Sequence, residues 1–214
     1  MLRGIVLDMN STKIDSTDGS SKNGPNITTY LSDMIALERH IQQPLKSQIG
    51  DSEVQKSSVA LREINAALEI VTSHITALEA RLDALGGHAG LPIKSGVATA
   101  LGAAATAIGN VRKTEVSKDL RDDYSALCLA SAGYTMLLTT ALGLGDAATA
   151  ALAKKHLADD ATVIMRLSSA LPVVVLAELT QEGVVVDTSV VGSAEEKLEA
   201  AWREGGQRAG THSN

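Results

Sequence analysis

Residues 61–85 read LREINAALEIVTSHITALEARLDAL, and the spacing of their apolar side chains decides the fold class. Leu61, Ile64, Leu68, Val71, Ile75, Leu78, Leu82 and Leu85 alternate by three and four without interruption. One face of an α-helix repeats with that period. A sustained seam of this type packs at a small crossing angle against neighbouring helices. The stretch predicts one long helix of an antiparallel set, started by Asp51 or Ser52 as N-cap and stopped by Gly86-Gly87.

Helical spacing continues on both sides. Upstream, Asn26 follows Pro25 as an N-cap, and Ile27, Tyr30, Leu31, Met34, Leu37, Ile41 and Leu45 form a stripe. Pro44 is expected to kink or weaken its last turns, and Gly50 to end it. Downstream, a helix from about Ser117 to Leu142 carries Leu120, Tyr124, Leu127, Ser131, Tyr134, Leu138 and Ala141 at intervals of four and three. Asp146 caps the next helix, which is expected to end before Pro172 and to pack through Leu152, Leu157, Val163, Ile164, Leu167 and Leu171. Between these pairs, residues 95–112 (SGVATALGAAATAIGNVR) have two readings. Gly102, Ala105 and Gly109 suit a closely packed thin helix, but each Gly costs about 1 kcal/mol relative to Ala and equally suits a weak connector.

The flanks differ. Residues 10–25 (NSTKIDSTDGSSKNGP) hold one apolar side chain and cannot offset their ordering entropy, so residues 1–25 are expected to be a disordered tail. Met1–Met9 suits either a short strand or a docking segment. Residues 26–179 form the helical domain, with Val173–Leu179 docked on it. Residues 180–214 form a C-terminal arm, with β-branched Val184–Val191 extended and Ala194–Glu204 a short helix carrying Leu198 and Trp202 one turn apart.

Composition agrees with an all-α fold. The chain has 214 residues, 44% apolar but only 2% aromatic, with no Phe and four Pro. A core without large rings is filled by Leu, Ile, Val and Ala, of which Ala and Leu are strong helix formers. The net charge of −6 and the absence of a basic stripe argue against nucleic acid as partner. No clean run of about 20 apolar residues predicts a membrane span. Neither a secretory leader nor a disulfide is indicated; the single Cys128 is expected to be a small buried hydrophobe in a cytoplasmic protein.

Several short motifs then carry a resemblance. Tyr30-Leu31-Ser32-Asp33 precedes Ala36-Leu37-Glu38; His74 precedes Leu78, Arg81-Leu82 and Leu85-Gly86. Ala132-Gly133-Tyr134-Thr135 precedes Ala141-Leu142-Gly143, and Leu157-Ala158-Asp159-Asp160 follows. In order and spacing these resemble the ferritin-like superfamily, nearest its bacterial YciE/YciF-type stress proteins, over residues 28–170. The resemblance implies an antiparallel four-helix ferritin-like bundle, with the Ala/Gly-rich helix and extended termini as additions. It also implies a homo-oligomer, a dimer favoured, and iron or another divalent transition metal as cofactor.

The metal-ligand set implied by that family is reduced here. A ferritin-like di-metal site takes one Glu from each of two helices and Glu-x-x-His from each of the other two. No Glu-x-x-His occurs in this chain, and Ala130 stands where the pattern of the third helix has Glu. The remaining candidates are Glu38, His74, His156, Asp159 and Asp160. His156 can share a helix face with Asp159 and Asp160, and imidazole with carboxylates suits iron, zinc or manganese. Each has a plainer reading: Glu38 as a solvated charge beside Arg39 and His40, His74 as a hydrogen-bonded core histidine, and the helix-4 group as a surface patch with Lys154 and Lys155. Tyr124 and Tyr134 read as core residues with bonded hydroxyls, and Asp122-Asp123 do not face each other. Three functions follow: a non-catalytic bundle serving binding, assembly or stress protection; an iron-binding oxidase or peroxide-consuming enzyme; or an interaction module that engages a protein partner through Val184–Trp202.

Overall fold

The structure, a computed structural model, describes residues 24–87 and 115–211. All regular structure among them is helical. In chain order the helices are α1 (Gly24–Ile49), α2 (Ser52–Lys56), α3 (Ser58–Ala84), α4 (Val116–Gly143), α5 (Ala147–Gln181) and, after a 3₁₀ turn at Thr188–Val190, α6 (Val191–Thr211). Nearly all of the predicted N-terminal tail and the Ala/Gly-rich segment 95–112 lie outside the described residues.

Four long helices share one core. α1 packs on α3 and α4, and α5 packs on α3 and α4. Side-chain bonds fix the directions. Gln42 meets Thr72 and Arg39 meets Glu79, so α1 and α3 are antiparallel. Gln48 meets Asp123, and Tyr134 meets Glu38, so α1 and α4 are antiparallel too. Arg81–Asp146 and Arg166–Glu63 set α3 against α5, and Ser117–Glu178 with Ser131–Asp160 set α4 against α5. α3 and α4 therefore run parallel and lie on a diagonal.

The interior is aliphatic, as expected from a chain without Phe. Leu31, Leu45, Ile64, Leu78, Leu82, Leu120, Leu127, Leu137 and Leu167 are fully enclosed. The caps are local. Asp146 accepts from the Thr149 backbone N–H at 3.0 Å, and its carboxylate also takes both Arg81 and the Thr149 hydroxyl. Gly145 makes the preceding turn at φ +72°, a conformation that L side chains rarely adopt.

Several boundaries depart from expectation. α1 starts at Gly24, so Asn26 lies inside its first turn and is not the cap. α1 also continues through Pro44, with His40, the residue whose carbonyl loses its helical donor, on an exposed face. The predicted second helix is broken at Ser57, whose extended backbone and hydroxyl cap α3 while Asp51 caps α2. The break tucks Val54 into the core. α5 does not stop before Pro172 but runs to Gln181. Burial of Ala170 and Val174 on either side holds the helix through the proline. The expected extended arm Val184–Val191 is shorter than its β-branched run: residues 184–187 are irregular, Thr188–Val190 form the 3₁₀ turn, and Val191 already begins α6. Cys128 is exposed, not buried. α4 and α5 are long and apolar enough to cross a membrane by length and composition, yet both pack on the charged helices α1 and α3, which is compatible with a soluble protein.

Candidate metal centre

The candidate residues named from sequence meet inside the helical core. α1 supplies Glu38, α3 supplies His74, and α5 supplies His156, Asp159 and Asp160. Glu38, His74, His156 and Asp160 are buried, while Asp159 stands at the rim. Glu38 is thus not a solvated charge; its neighbours Arg39 and His40 are exposed and it is not. Asp33, which helped to carry the resemblance, is only half-buried and takes no part.

His74 is the hub. Its Nδ1 lies 3.1 Å from Glu38 Oε1 and 3.7 Å from Asp160 Oδ1, and its Nε2 lies 3.3 Å from Asp159 Oδ2. Both ring nitrogens face carboxylates, so both donate when the imidazole is charged. Burial works against that charge, but the bonds and fields of Glu38, Asp160 and Asp159 outweigh it and raise the His74 pKa. Lys155 Nζ also donates to Asp159 Oδ2, at 2.5 Å. Burial would raise the Asp159 pKa, but Lys155 and His74 together pull it below the ordinary value.

α4 adds a residue that sequence spacing placed only on a seam. The Tyr134 hydroxyl donates to Glu38 Oε1 at 2.5 Å, and the ring is fully buried. Its neighbour Gly133 permits this reach. A Cβ at Gly133 would come within 2.5 Å of Met34 Sδ, so a side chain there would force the Met34 thioether to move. Burial, then the negative field of Glu38, drives the Tyr134 pKa strongly upward and keeps it a neutral donor. Its ring meets His74 and His156 edge-on at 5.5 and 5.1 Å, while the two imidazoles stack at 3.9 Å.

His156 and Asp160 are the least satisfied members. Burial and the nearby charge of His74 push the His156 pKa down to about 3, so its ring is neutral at pH 7. Burial and the charge of Glu38 push Asp160 up to about 7. Ser131 Oγ donates to Asp160 Oδ2 at 3.5 Å, but Asp160 Oδ1, Glu38 Oε2 and His156 Nδ1 are buried without a hydrogen-bond partner. Unpaired buried acceptors are costly and rare in native interiors. One ligand atom each from Glu38, His74 and Asp160 lies within 4.8 Å of the others. A single divalent ion fits such a set, with His156 beside it. Val71, three residues before His74, and Ala130, four before Tyr134, are fully buried and apolar, so neither adds a carboxylate to the group. Cys128 is exposed and is not among the residues whose ligand atoms meet there.

A second acidic group lies nearer the end of the core where α1 finishes. Asp123 is buried, accepts from Gln48 Nε2 at 3.1 Å, and keeps Oδ2 unpartnered beside an equally unpartnered Gln48 Oε1. Burial, with the charges of Asp119 and Asp122, raises Asp123 to about 7. Burial, with Asp51, Asp122 and Glu178, raises Asp119 to about 6. Asp122 instead faces solvent and pairs with Arg121, so the adjacent carboxylates do point apart.

No protein-family model matches the chain, and no curated protein does. Among solved structures, a protein of Xanthomonas campestris pv. campestris is similar in fold, with a TM-score of 0.60 over 77% of this chain and 100% of that one, at 17% identity. At that identity the likeness concerns the fold alone.

Proposed function

We propose that this protein is a ferritin-like helical bundle with a reduced metal site, which binds one divalent transition-metal ion through Glu38, His74 and Asp160. The observation that carries the reading is the convergence of these three buried ligands with Glu38 Oε2 and Asp160 Oδ1 left without hydrogen bonds. Two carboxylates and an imidazole suit iron, manganese or zinc. The parallel diagonal pair α3 and α4, which forces a long connection between them, supports the ferritin-like assignment. His156 is placed to serve as a further nitrogen donor, and Asp159 orients His74 from outside, as carboxylates commonly do for metal-bound histidines. A dinuclear oxidase is disfavoured by Ala130 and Val71.

A second reading keeps the bundle metal-free, in a binding or stress-protection role. It draws on His74, which as an imidazolium already neutralises the carboxylates around it. Metal content per chain after purification without chelator, and after reconstitution with ferrous iron, separates the two. Stoichiometric metal in the wild type, lost in Glu38→Ala and His74→Ala, is expected. Absence of metal even after reconstitution would sink the first reading.

A further inference from the structure

A cleft of about 650 Å³ lies between α3, α5 and α6 and shares no residue with the metal centre. Its size falls within the roughly 300–1,000 Å³ of small-molecule sites. One wall is organised by Glu63 of α3, which is only 4% exposed. Arg62 Nε donates to Glu63 Oε1 and Arg166 Nε donates to Glu63 Oε2, each at 2.7 Å. One buried carboxylate thus fixes two guanidiniums, and each is engaged through Nε alone. Among the described residues the terminal nitrogens of both make no hydrogen bond or ion pair. A guanidinium held this way keeps N–H donors free in a fixed plane, a geometry that matches a carboxylate.

The other wall is α6. Glu195 and Glu199 lie four residues apart on it, so they share a helix face, and both line the cleft. Like charges at that spacing weaken a helix unless positive charge faces them. Here Arg62 and Arg166 face them across the cleft, yet among the described residues no ion pair joins the two walls. Val59, Met165 and Val173 add apolar surface, and Met165 is 46% exposed. The charges of the lining nearly cancel. A lone anion is opposed by the glutamates, and a lone cation by the arginines. Free donors on one wall, free carboxylates on the other and apolar surface between them match a molecule with one charge of each sign. We propose that the cleft binds a small zwitterion with an apolar body, an α-amino acid or a short peptide, its carboxylate on Arg62 and Arg166 and its ammonium on Glu195 and Glu199.

Calorimetric titration of the full chain tests this with leucine and with leucyl-leucine, each also as its N-acetyl form and its C-terminal amide. At least one zwitterion is expected to bind about ten times more tightly than either of its blocked forms, since each block removes one charge-assisted contact. The tighter of the two zwitterions distinguishes an amino acid from a peptide. The double variant Glu195→Gln, Glu199→Gln changes only charge on a helix outside the core. It is expected to lose the preference for the free amine over the acetyl form and to keep the preference for the carboxylate over the amide. Arg166→Lys leaves a cation for Glu63 but removes the planar fork, and is expected to reduce the carboxylate preference several-fold. A merely structural role for these residues would weaken all forms alike. No binding of either zwitterion at millimolar concentration, blocked forms that bind as tightly as the zwitterions, or preferences unchanged in the folded variants would overturn the proposal.

Discussion

Replacing Asp123 with Asn is expected to change how stability depends on pH. In the folded protein the Asp123 carboxyl is held neutral up to about pH 7 by burial and by the charges of Asp119 and Asp122, against an ordinary value of 3.8. Below pH 3.8 both folded and unfolded states carry the proton, and Asp123 contributes nothing to the slope. Between 3.8 and about 7 the unfolded chain has lost the proton while the folded chain keeps it. The unfolded state then binds fewer protons, so stability falls as pH rises. The gap of roughly three pH units at 1.36 kcal/mol each corresponds to about 4 kcal/mol by pH 8. That is a large part of the 5–15 kcal/mol typical of a domain. Asn has the shape of the neutral acid: its Oδ1 can accept from Gln48 Nε2, and its amide can donate toward the unpartnered Gln48 Oε1. Urea unfolding of both proteins from pH 4 to 8 is the assay. Near-equal stability is expected at pH 4, with the Asn variant ahead by as much as about 4 kcal/mol at pH 8. A stability difference that stays constant with pH, or a wild type that gains on the variant as pH rises, would refute the burial argument.

Further outcomes follow from other contacts. Tyr134→Phe removes the donor to buried Glu38 and is expected to cost about 1–3 kcal/mol in the metal-free protein, read by urea unfolding. Asp146→Ala removes a cap and the Arg81 pair and should cost about 1–2 kcal/mol at pH 7. The Asp146 pKa is lowered to about 2 despite burial, because Arg81 and Thr149 hold the carboxylate charged. That stabilisation is present above 3.8 and is lost as pH falls through about 2, so Asp146→Asn should show a shallower acid-side decline than wild type. Asp159→Asn should weaken metal binding 10–100-fold in a competition titration while retaining stoichiometry, because in the proposed site it orients His74 from outside the ion's ligands.

The sequence made the helices legible because their burial is one-sided and regular. The 61–85 stripe shows this: Ile64, Val71, Ile75, Leu78 and Leu82 are buried, and only its end residue Leu85 is clearly exposed. Breaks and continuations were less legible. Nothing in the period announces that Ser57 leaves the helix so that Val54 can turn inward, and Pro172 reads as a stop because the burial that carries α5 past it is tertiary. The β-branched run at 184–191 has strand propensity but no strand to pair with. For the candidate site, the members on α1, α3 and α5 were visible as residue types that suit a ligand. Their convergence was not, since it depends on how helices far apart in sequence are rotated. Tyr134 and Ser131 were hidden for the same reason, lying on a seam like any core position.

The antiparallel pairing of α1 with α3 and of α4 with α5 has a consequence for assembly. Within the first hairpin, Glu38 and His74 are 36 residues apart, and within the second, Ser131 and Asp160 are 29 apart. Between hairpins, His74 and Asp159 are 85 apart and Glu38 and Tyr134 are 96 apart. Closing the longer loops costs more chain entropy, so each hairpin can form before the two dock. The polar cluster is then divided between two halves, with Glu38 and His74 arriving on one and Tyr134, His156 and Asp160 on the other. Its completion coincides with the closing of the fold, and an ion bound there would act as a clasp between two hairpins as well as a ligand within one core.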